Sequence, residues 1–377
     1  MKLSHCLLAC AAMLSGGAAS AQQRPAPAPN DTLVSREVDP NGRLTLRLYA
    51  PNAEEVLARG DMLASPTQAL PMTEGADGVW TGTTEALAPG AYRYNFVIDG
   101  VAIADPKSAD LSPNNSTPMS LAFVPGEGGE FQEAQDTPHG AVAMVTYDSV
   151  LGVSRRMHIY TPPGYGLHAQ DYPVLYLLHG AGDADNSWNS VGRANVILDN
   201  LISGGDAQPM IVVMPAGHVP ASLSTDMLGD AADLFARDLV ESVIPYVDAN
   251  YRTADGQENR AIAGLSMGGL QTLNIAFSHP KLFDYAGIFS SGWFNGEPAA
   301  LEAEFGKALD RANEEFDLIW SATGSDDFVL ESTETMLGLF DDHGVEHTHV
   351  RTDGGHTWVN WRDYLRDFAP LLFGPDA

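Results

Sequence analysis

Cysteine is nearly absent from this 377-residue chain: Cys6 and Cys10 are the only two, and both lie at its very start. If the first residues are removed, no thiol, disulfide or cysteine-ligated metal site is left. Positive charge is also scarce. Twenty Lys and Arg stand against 49 Asp and Glu, a formal charge of −29. Such an excess repels a phosphate backbone, so nucleic acid is a poor partner, and an anionic membrane surface is disfavoured for the same reason. No stretch beyond the N-terminus approaches the roughly 20 apolar residues of a membrane-spanning helix, so no membrane insertion is expected. Apolar residues nevertheless make up 44% of the chain and charged residues 18%, enough to fill real cores and to argue against wholesale disorder. The length points to two domains, since compact domains run to roughly 100–200 residues.

Residues 1–21 have the pattern of a secretory signal peptide. Lys2 is followed by an apolar stretch from Leu7 to Leu14, and Ala19-Ser20-Ala21 offers a small-x-small cleavage site. Export to the periplasm or medium is therefore expected. Lipid attachment at Cys10 is disfavoured, because almost no apolar segment precedes it. Residues 22–30 read as a Pro/Ala linker. From 31 to 124 the hydrophobic period is two: Leu44, Leu46 and Leu48 alternate with polar residues, and Tyr92, Tyr94, Phe96 and Ile98 do so before an Asp99-Gly100 turn. This predicts a small all-β, immunoglobulin-like sandwich. Residues 125–139 form a polar, glycine-rich linker. Beyond it, over 140–377, continuous apolar runs such as Val174–Leu178 and Met210–Met214 alternate with helical spacing at 232–247 and 270–277. Such runs suit strands buried on both faces, giving an α/β domain with a doubly wound, mostly parallel sheet.

Gly264-Leu265-Ser266-Met267-Gly268-Gly269 follows an apolar strand and precedes a helical run, the strand-turn-helix setting of a nucleophile elbow. A serine hydroxyl needs a base, and the base needs an orienting acid. Of the downstream histidines, His356 in Asp353-Gly354-Gly355-His356 has glycines that free its loop to reach back over Ser266. The acid is Asp326 or Asp327, just past a strand end, with Asp353 a weaker candidate that shapes the histidine loop. An oxyanion hole requires two backbone N–H donors. Met267, the residue after the nucleophile, supplies one, and Ala181 in the His179-Gly180-Ala181-Gly182 loop supplies the other. Trp188, Trp293, Phe294 and Trp358 lie on loops or helix starts near this site and are candidates for binding a substrate ring or sugar. Nothing calls for a metal or an organic cofactor, and no oligomeric state is legible.

Together, Leu178-His-Gly-Ala-Gly182, Ala263-Gly-Leu-Ser-Met-Gly-Gly269, Gly324-Ser-Asp-Asp327 and Gly354-Gly-His-Thr-Trp358 resemble the family 1 carbohydrate esterases, the feruloyl and acetylxylan esterases. The resemblance covers about residues 140–374 and implies an α/β-hydrolase fold and plant polysaccharide, or its ester-decorated oligosaccharides, as substrate. It implies Ser266 as nucleophile, His356 as base, and Ala181 and Met267 as oxyanion donors. It also selects Asp327 over Asp326, because in that family the acid follows a glycine by three positions. The front segment, with Tyr92-Arg-Tyr-Asn-Phe-Val-Ile-Asp-Gly100, looks like the sandwich related to family 48 carbohydrate-binding modules. The implied activity is hydrolysis of feruloyl esters, with acetylxylan esterase as the alternative on the same triad. From another class, the alternative is a non-catalytic glycan-binding protein.

Overall fold

The computed structural model describes residues 28–374 except 66, 227, 228 and 295. The expected signal peptide, Cys10 and residues 22–27 of the expected linker lie outside the described residues. Pro29–Thr32 forms one exposed helical turn, α1.

Nine short strands follow: β1 (Arg36–Val38), β2 (Arg43–Tyr49), β3 (Val56–Gly60), β4 (Leu70–Pro71), β5 (Thr73–Glu74), β6 (Val79–Ala86), β7 (Gly90–Ile98), β8 (Val101–Ile103) and β9 (Ser120–Val124). They form two antiparallel sheets. One runs β1-β2-β6-β5 and the other β4-β3-β7-β8, with β9 paired to the opposite end of β7. The two-residue period is realised in β2, where Leu44, Leu46 and Leu48 are buried against Val56, Tyr94 and Phe96. Asp99 and Gly100 both take positive φ (46° and 85°), the backbone of a tight hairpin between β7 and β8. Strand β7 departs from alternation, being buried on both faces from Gly90 to Val97. Its second face meets the following domain at Ala91 and Arg93, which are buried as well.

That domain opens with a hairpin of β10 (Ala141–Asp148) and β11 (Ser154–Thr161). Then come β12 (Val174–Leu178), α2 (Ala194–Gly204), β13 (Ile211–Pro215), α3 (Asp230–Asp238), α4 (Ile244–Asn250), β14 (Arg260–Leu265) and α5 (Met267–Ser278). The chain continues through β15 (Tyr285–Phe289), α6 (Pro298–Leu309), α7 (Ala312–Glu315), β16 (Leu318–Gly324), α8 (Leu330–Asp342), β17 (Thr348–Thr352) and α9 (Trp358–Phe368). The sheet order is β10-β11-β13-β12-β14-β15-β16-β17, parallel from β13 onward. Strands β12 to β15 are almost wholly buried because a helical layer covers each face. Phe235, Leu273 and Phe340 fill one layer; Ile197, Trp361 and Leu365 fill the other. The helical spacing at 232–247 becomes α3 and α4 joined through a π-helical turn at Leu239–Val243.

The glycine-rich segment between the domains is docked on the second one. Asn200 Nδ2 donates to the carbonyls of Phe131 and Glu133 (both 2.9 Å), and Arg193 donates to that of Gln132. Arg362, fully buried in α9, crosses the domain boundary, donating to the carbonyls of Ala91 in β7 (2.9 Å) and Val191 (3.0 Å). Burial holds its guanidinium down to about 10, well below the arginine norm. Arg362→Ala removes both hydrogen bonds and leaves a large void. It should destabilise the protein by about 3 kcal/mol, seen as a lower melting temperature and urea midpoint.

Candidate active site

Loops leaving the C-terminal ends of β12, β14, β16 and β17 carry the sequence-predicted chemical groups to one rim of the sheet, where sites of open α/β folds form. Ser266 sits between β14 and α5 with φ 52° and ψ −117°, a conformation that strains an L-residue. Close packing enforces it. A Cβ on Gly264 would stand 2.3 Å from the Gly268 carbonyl oxygen, and one on Gly268 would stand 2.6 Å from that of Leu178. Only glycine lets the helix begin so near the strand ends. Ser291, just past β15, braces the turn by donating from Oγ to the Ser266 carbonyl at 2.8 Å. The Ser266 hydroxyl does not cap α5, and the helix opens at Met267 with N–H groups that have no intrahelical acceptor.

His356 lies between β17 and α9. Its Nδ1 is 2.9 Å from Asp327 Oδ1 and 3.2 Å from Oδ2; the carboxylate is fully buried and the imidazole is 16% exposed. Burial pushes the Asp327 carboxyl up, but the His356 hydrogen bond and charge, helped by the Val329 N–H, outweigh it and hold the group below the usual carboxylate value. An ionised Asp327 accepts from Nδ1–H, which leaves Nε2 to accept a hydroxyl proton. Asp326 is exposed and contributes only its backbone N–H, to the Gly354 carbonyl at 2.9 Å. Asp353 is exposed too; its carbonyl and Thr352 Oγ1 receive Asn360 Nδ2 (2.8 and 3.2 Å), which secures the histidine loop.

The loop after β12 runs alongside the elbow. His179 is buried there, with Nδ1 donating to the Gly180 carbonyl (2.9 Å) and Nε2 accepting from the Gly217 N–H (2.8 Å). Both bonds need a neutral ring, and burial lowers its pKa accordingly. His179 is a strut of the loop.

Two of the expected substrate-binding aromatics are core residues instead. Trp188 is 1% exposed, with Nε1 donating to the Leu178 carbonyl and its ring edge-on to Trp358. Trp293 is stacked on Phe305 at 5.0 Å and bonded through Nε1 to Asn274. Neither has a free face, because their loops fold back over the apolar layers beside the sheet. Phe294 is half-buried and packs against the same cluster as Trp293. Trp358 is also buried (3% exposed), packed between Trp188 and Trp361, but with His356 and Trp361 it borders one wall of a 450 Å³ cavity. The opposite wall, including Arg59, Leu63 and Arg93, belongs to the sandwich domain. That wall is invisible in sequence, since it exists only through domain docking. Phe328 was also missed. It follows Asp327, is 79% exposed and holds its ring 4.4 Å from the imidazole. A large apolar residue beside a candidate acid, followed by no buried strand, was the available signal. Among the described residues, no three His, Cys, Asp or Glu side chains are grouped to hold a metal ion, and no helix is long and apolar enough to cross a membrane.

A family model for esterases matches residues 149–371, and one for carbohydrate-binding module 48 (isoamylase N-terminal domain) matches 34–114. An endo-1,4-beta-xylanase/feruloyl esterase of Xylanibacter ruminicola is 32% identical over 347 residues, covering 89% of this chain and 45% of the relative. The chain thus spans less than half the length of that curated relative. Among solved structures, a CE1 ferulic acid esterase from Anaeromyces mucronatus in complex with ferulic acid superposes with TM-score 0.58 at 25% identity, over 65% of this chain and 95% of that one. The enterobactin esterase of Shigella flexneri, at TM-score 0.63 and 18% identity, covers 88% of this chain and 93% of its own, a likeness of fold across both domains. The chain belongs to the esterase family, a family of carboxylic ester hydrolases, and carries a module-48-type sandwich in front of its α/β-hydrolase domain.

Proposed function

We propose that the protein is an exported serine esterase that releases hydroxycinnamoyl groups, feruloyl foremost, from plant cell-wall polysaccharide such as arabinoxylan. The observation that carries this reading is the buried Asp327–His356 pair on the same sheet rim as the strained Ser266. Ser266 Oγ attacks the ester carbonyl as His356 Nε2 takes its proton. The tetrahedral oxyanion lies between the N–H groups of Ala181 and Met267. Collapse expels the sugar hydroxyl, which takes the proton back from His356. Water, deprotonated by the same nitrogen, then attacks the acyl-enzyme, releasing the carboxylic acid and Ser266.

The acyl preference is supported by the similarity to the xylanase/feruloyl esterase of Xylanibacter ruminicola and by the aromatic surroundings of the imidazole. Phe328 is placed to pack on a hydroxycinnamoyl ring, and the cavity beside Trp358 and Trp361 can take the ring or the attached sugar. Phe328→Ala should raise KM for methyl ferulate about tenfold and leave turnover of p-nitrophenyl acetate unchanged. The deciding assay runs methyl ferulate, p-nitrophenyl acetate and acetylated xylan in parallel. Ferulate release supports the reading, and acetate release without it makes the enzyme an acetylxylan esterase. Silence on all three esters, with retained affinity for xylan, makes the chain a glycan-binding protein. Export is tested by N-terminal sequencing of protein recovered outside the cytoplasm, which should begin at Gln22.

A further inference from the structure

The orientation of one oxyanion donor is set from the other domain. In a trans peptide the N–H points away from the preceding carbonyl, so the direction of the Ala181 N–H is fixed by whatever holds the Gly180 carbonyl. That carbonyl accepts from His179 Nδ1 at 2.9 Å and from the Asp183 N–H at 3.1 Å. Asp183 also receives the Gly180 N–H on Oδ2 at 3.2 Å, so its carboxylate closes the loop on itself. The carboxylate is nearly buried and needs a positive partner. It finds one in Arg93 of the sandwich strand β7, whose guanidinium nitrogen is 2.7 Å from Asp183 Oδ1. Arg93 cannot swing away, because its Nε is held at 2.8 Å by Asp61, which follows β3. Its guanidinium also lies 5.8 Å from the centre of the Trp358 ring, two residues beyond His356. A second sandwich residue, Asn115, grips the same loop, with Nδ2 on the Ala181 carbonyl (2.7 Å) and its backbone N–H on that of Gly182 (3.3 Å).

We propose that Arg93 and Asn115 of the front domain are positioning residues for the oxyanion hole, so that the sandwich is a working part of the catalytic centre in addition to any role in holding polysaccharide. This rests on the reading of Ala181 as an oxyanion donor. The carbonyl groups on either side of the Ala181 N–H are pinned, one through Asp183 and Arg93 and the other through Asn115. Losing either pin lets the donor wander, which weakens the transition state more than the bound ester.

The test uses p-nitrophenyl acetate, whose acetyl group and flat leaving group require no polysaccharide contact. In the full-length protein, Asn115→Asp keeps the shape of the side chain and removes its donor; Arg93→Lys keeps the charge but cannot span Asp61 and Asp183 together. Each should lower kcat about tenfold with KM within about twofold, and should weaken inhibition by phenylboronic acid, a tetrahedral mimic, by a similar factor. Because both act on one N–H, the double variant should lose less than the product of the single losses. Arg47→Ala, which removes an ion pair with Glu37 and a hydrogen bond to the Val34 carbonyl (3.4 Å) within the sandwich, is the control and should match the wild type. Unchanged kcat in Asn115→Asp overturns the proposal. So does a defect confined to xylan-linked esters, which would make these residues binders of polysaccharide. Should Arg93→Lys fail to fold, Asn115→Asp decides alone, since Asn115 is exposed. Wild-type activity that survives Ser266→Ala would instead remove the parent reading, an outcome distinct from both.

Discussion

Ser266→Ala is expected to cut kcat on methyl ferulate and on p-nitrophenyl acetate by about 10⁴-fold or more, with KM little changed. The residual rate is what an oxyanion hole can give to water attack without a nucleophile. The fold should survive intact, because the Ser266 hydroxyl caps no helix and the alanine keeps the backbone of the turn. Strain at that turn supplies an internal check. With φ at 52°, alanine is held in the same uncomfortable conformation as serine, whereas glycine adopts it freely. Ser266→Gly should be as inactive as Ser266→Ala and melt at a higher temperature than either parent or alanine variant, by roughly 1 kcal/mol of relieved strain. A serine-directed phosphonate should label the wild type once, at Ser266, and neither variant. Retention of more than about 1% of the wild-type rate in Ser266→Ala would place the nucleophile elsewhere.

How far the sequence leads depends on whether local pattern or tertiary contact decides each feature. Val174–Leu178 and Ile211–Pro215 read directly as strands because burial on both faces leaves an unbroken apolar run. The turn at Ser266 is legible because its glycines answer to contacts within a few residues and with the adjacent strand. The local pattern leaves Asp326 and Asp327 equivalent, since neighbouring side chains diverge and either can face inward; only the family resemblance, with its acid three positions after a glycine, favours Asp327. The turn after β16 decides, with Asp327 N–H bonded to the Gly324 carbonyl (3.2 Å) and its carboxylate buried against His356. The aromatics misled for a related reason. A tryptophan on a loop near a site has the same local sequence whether it covers the core, as Trp188 and Trp293 do, or borders a cavity, as Trp358 does. Least legible is the front domain's share of the site. Arg93 looks like part of the outward face of an alternating strand, and its partners Asp183 and Trp358 come from the second domain.

Asp327→Asn tests the base rather than the nucleophile, and its effect should be nearly as large. The carboxylate can only accept at Nδ1, so it fixes the imidazole with the proton on Nδ1 and the lone pair on Nε2. An asparagine amide can instead donate to Nδ1, which favours the opposite tautomer and leaves Nε2 carrying a proton that blocks its use as a base. kcat should fall by about 10³- to 10⁴-fold at neutral pH, with KM little changed and phosphonate labelling slowed in proportion. Asp326→Asn, which alters an exposed side chain, should leave kcat within about twofold; a large loss there would move the orienting role to Asp326. The two proteins should also differ in their response to acid. The Asp327 carboxyl is held below its ordinary value of 3.8 in the folded state, so its ionisation contributes stability at higher pH. That contribution is lost as the pH falls from 3.8 through the lower folded value, where the folded carboxylate is finally protonated. Asp327→Asn has no such group to titrate. The gap in stability between wild type and variant should therefore narrow as acid is added across that range, and a gap that stays constant would mean that Asp327 is not bonded to His356 as a carboxylate.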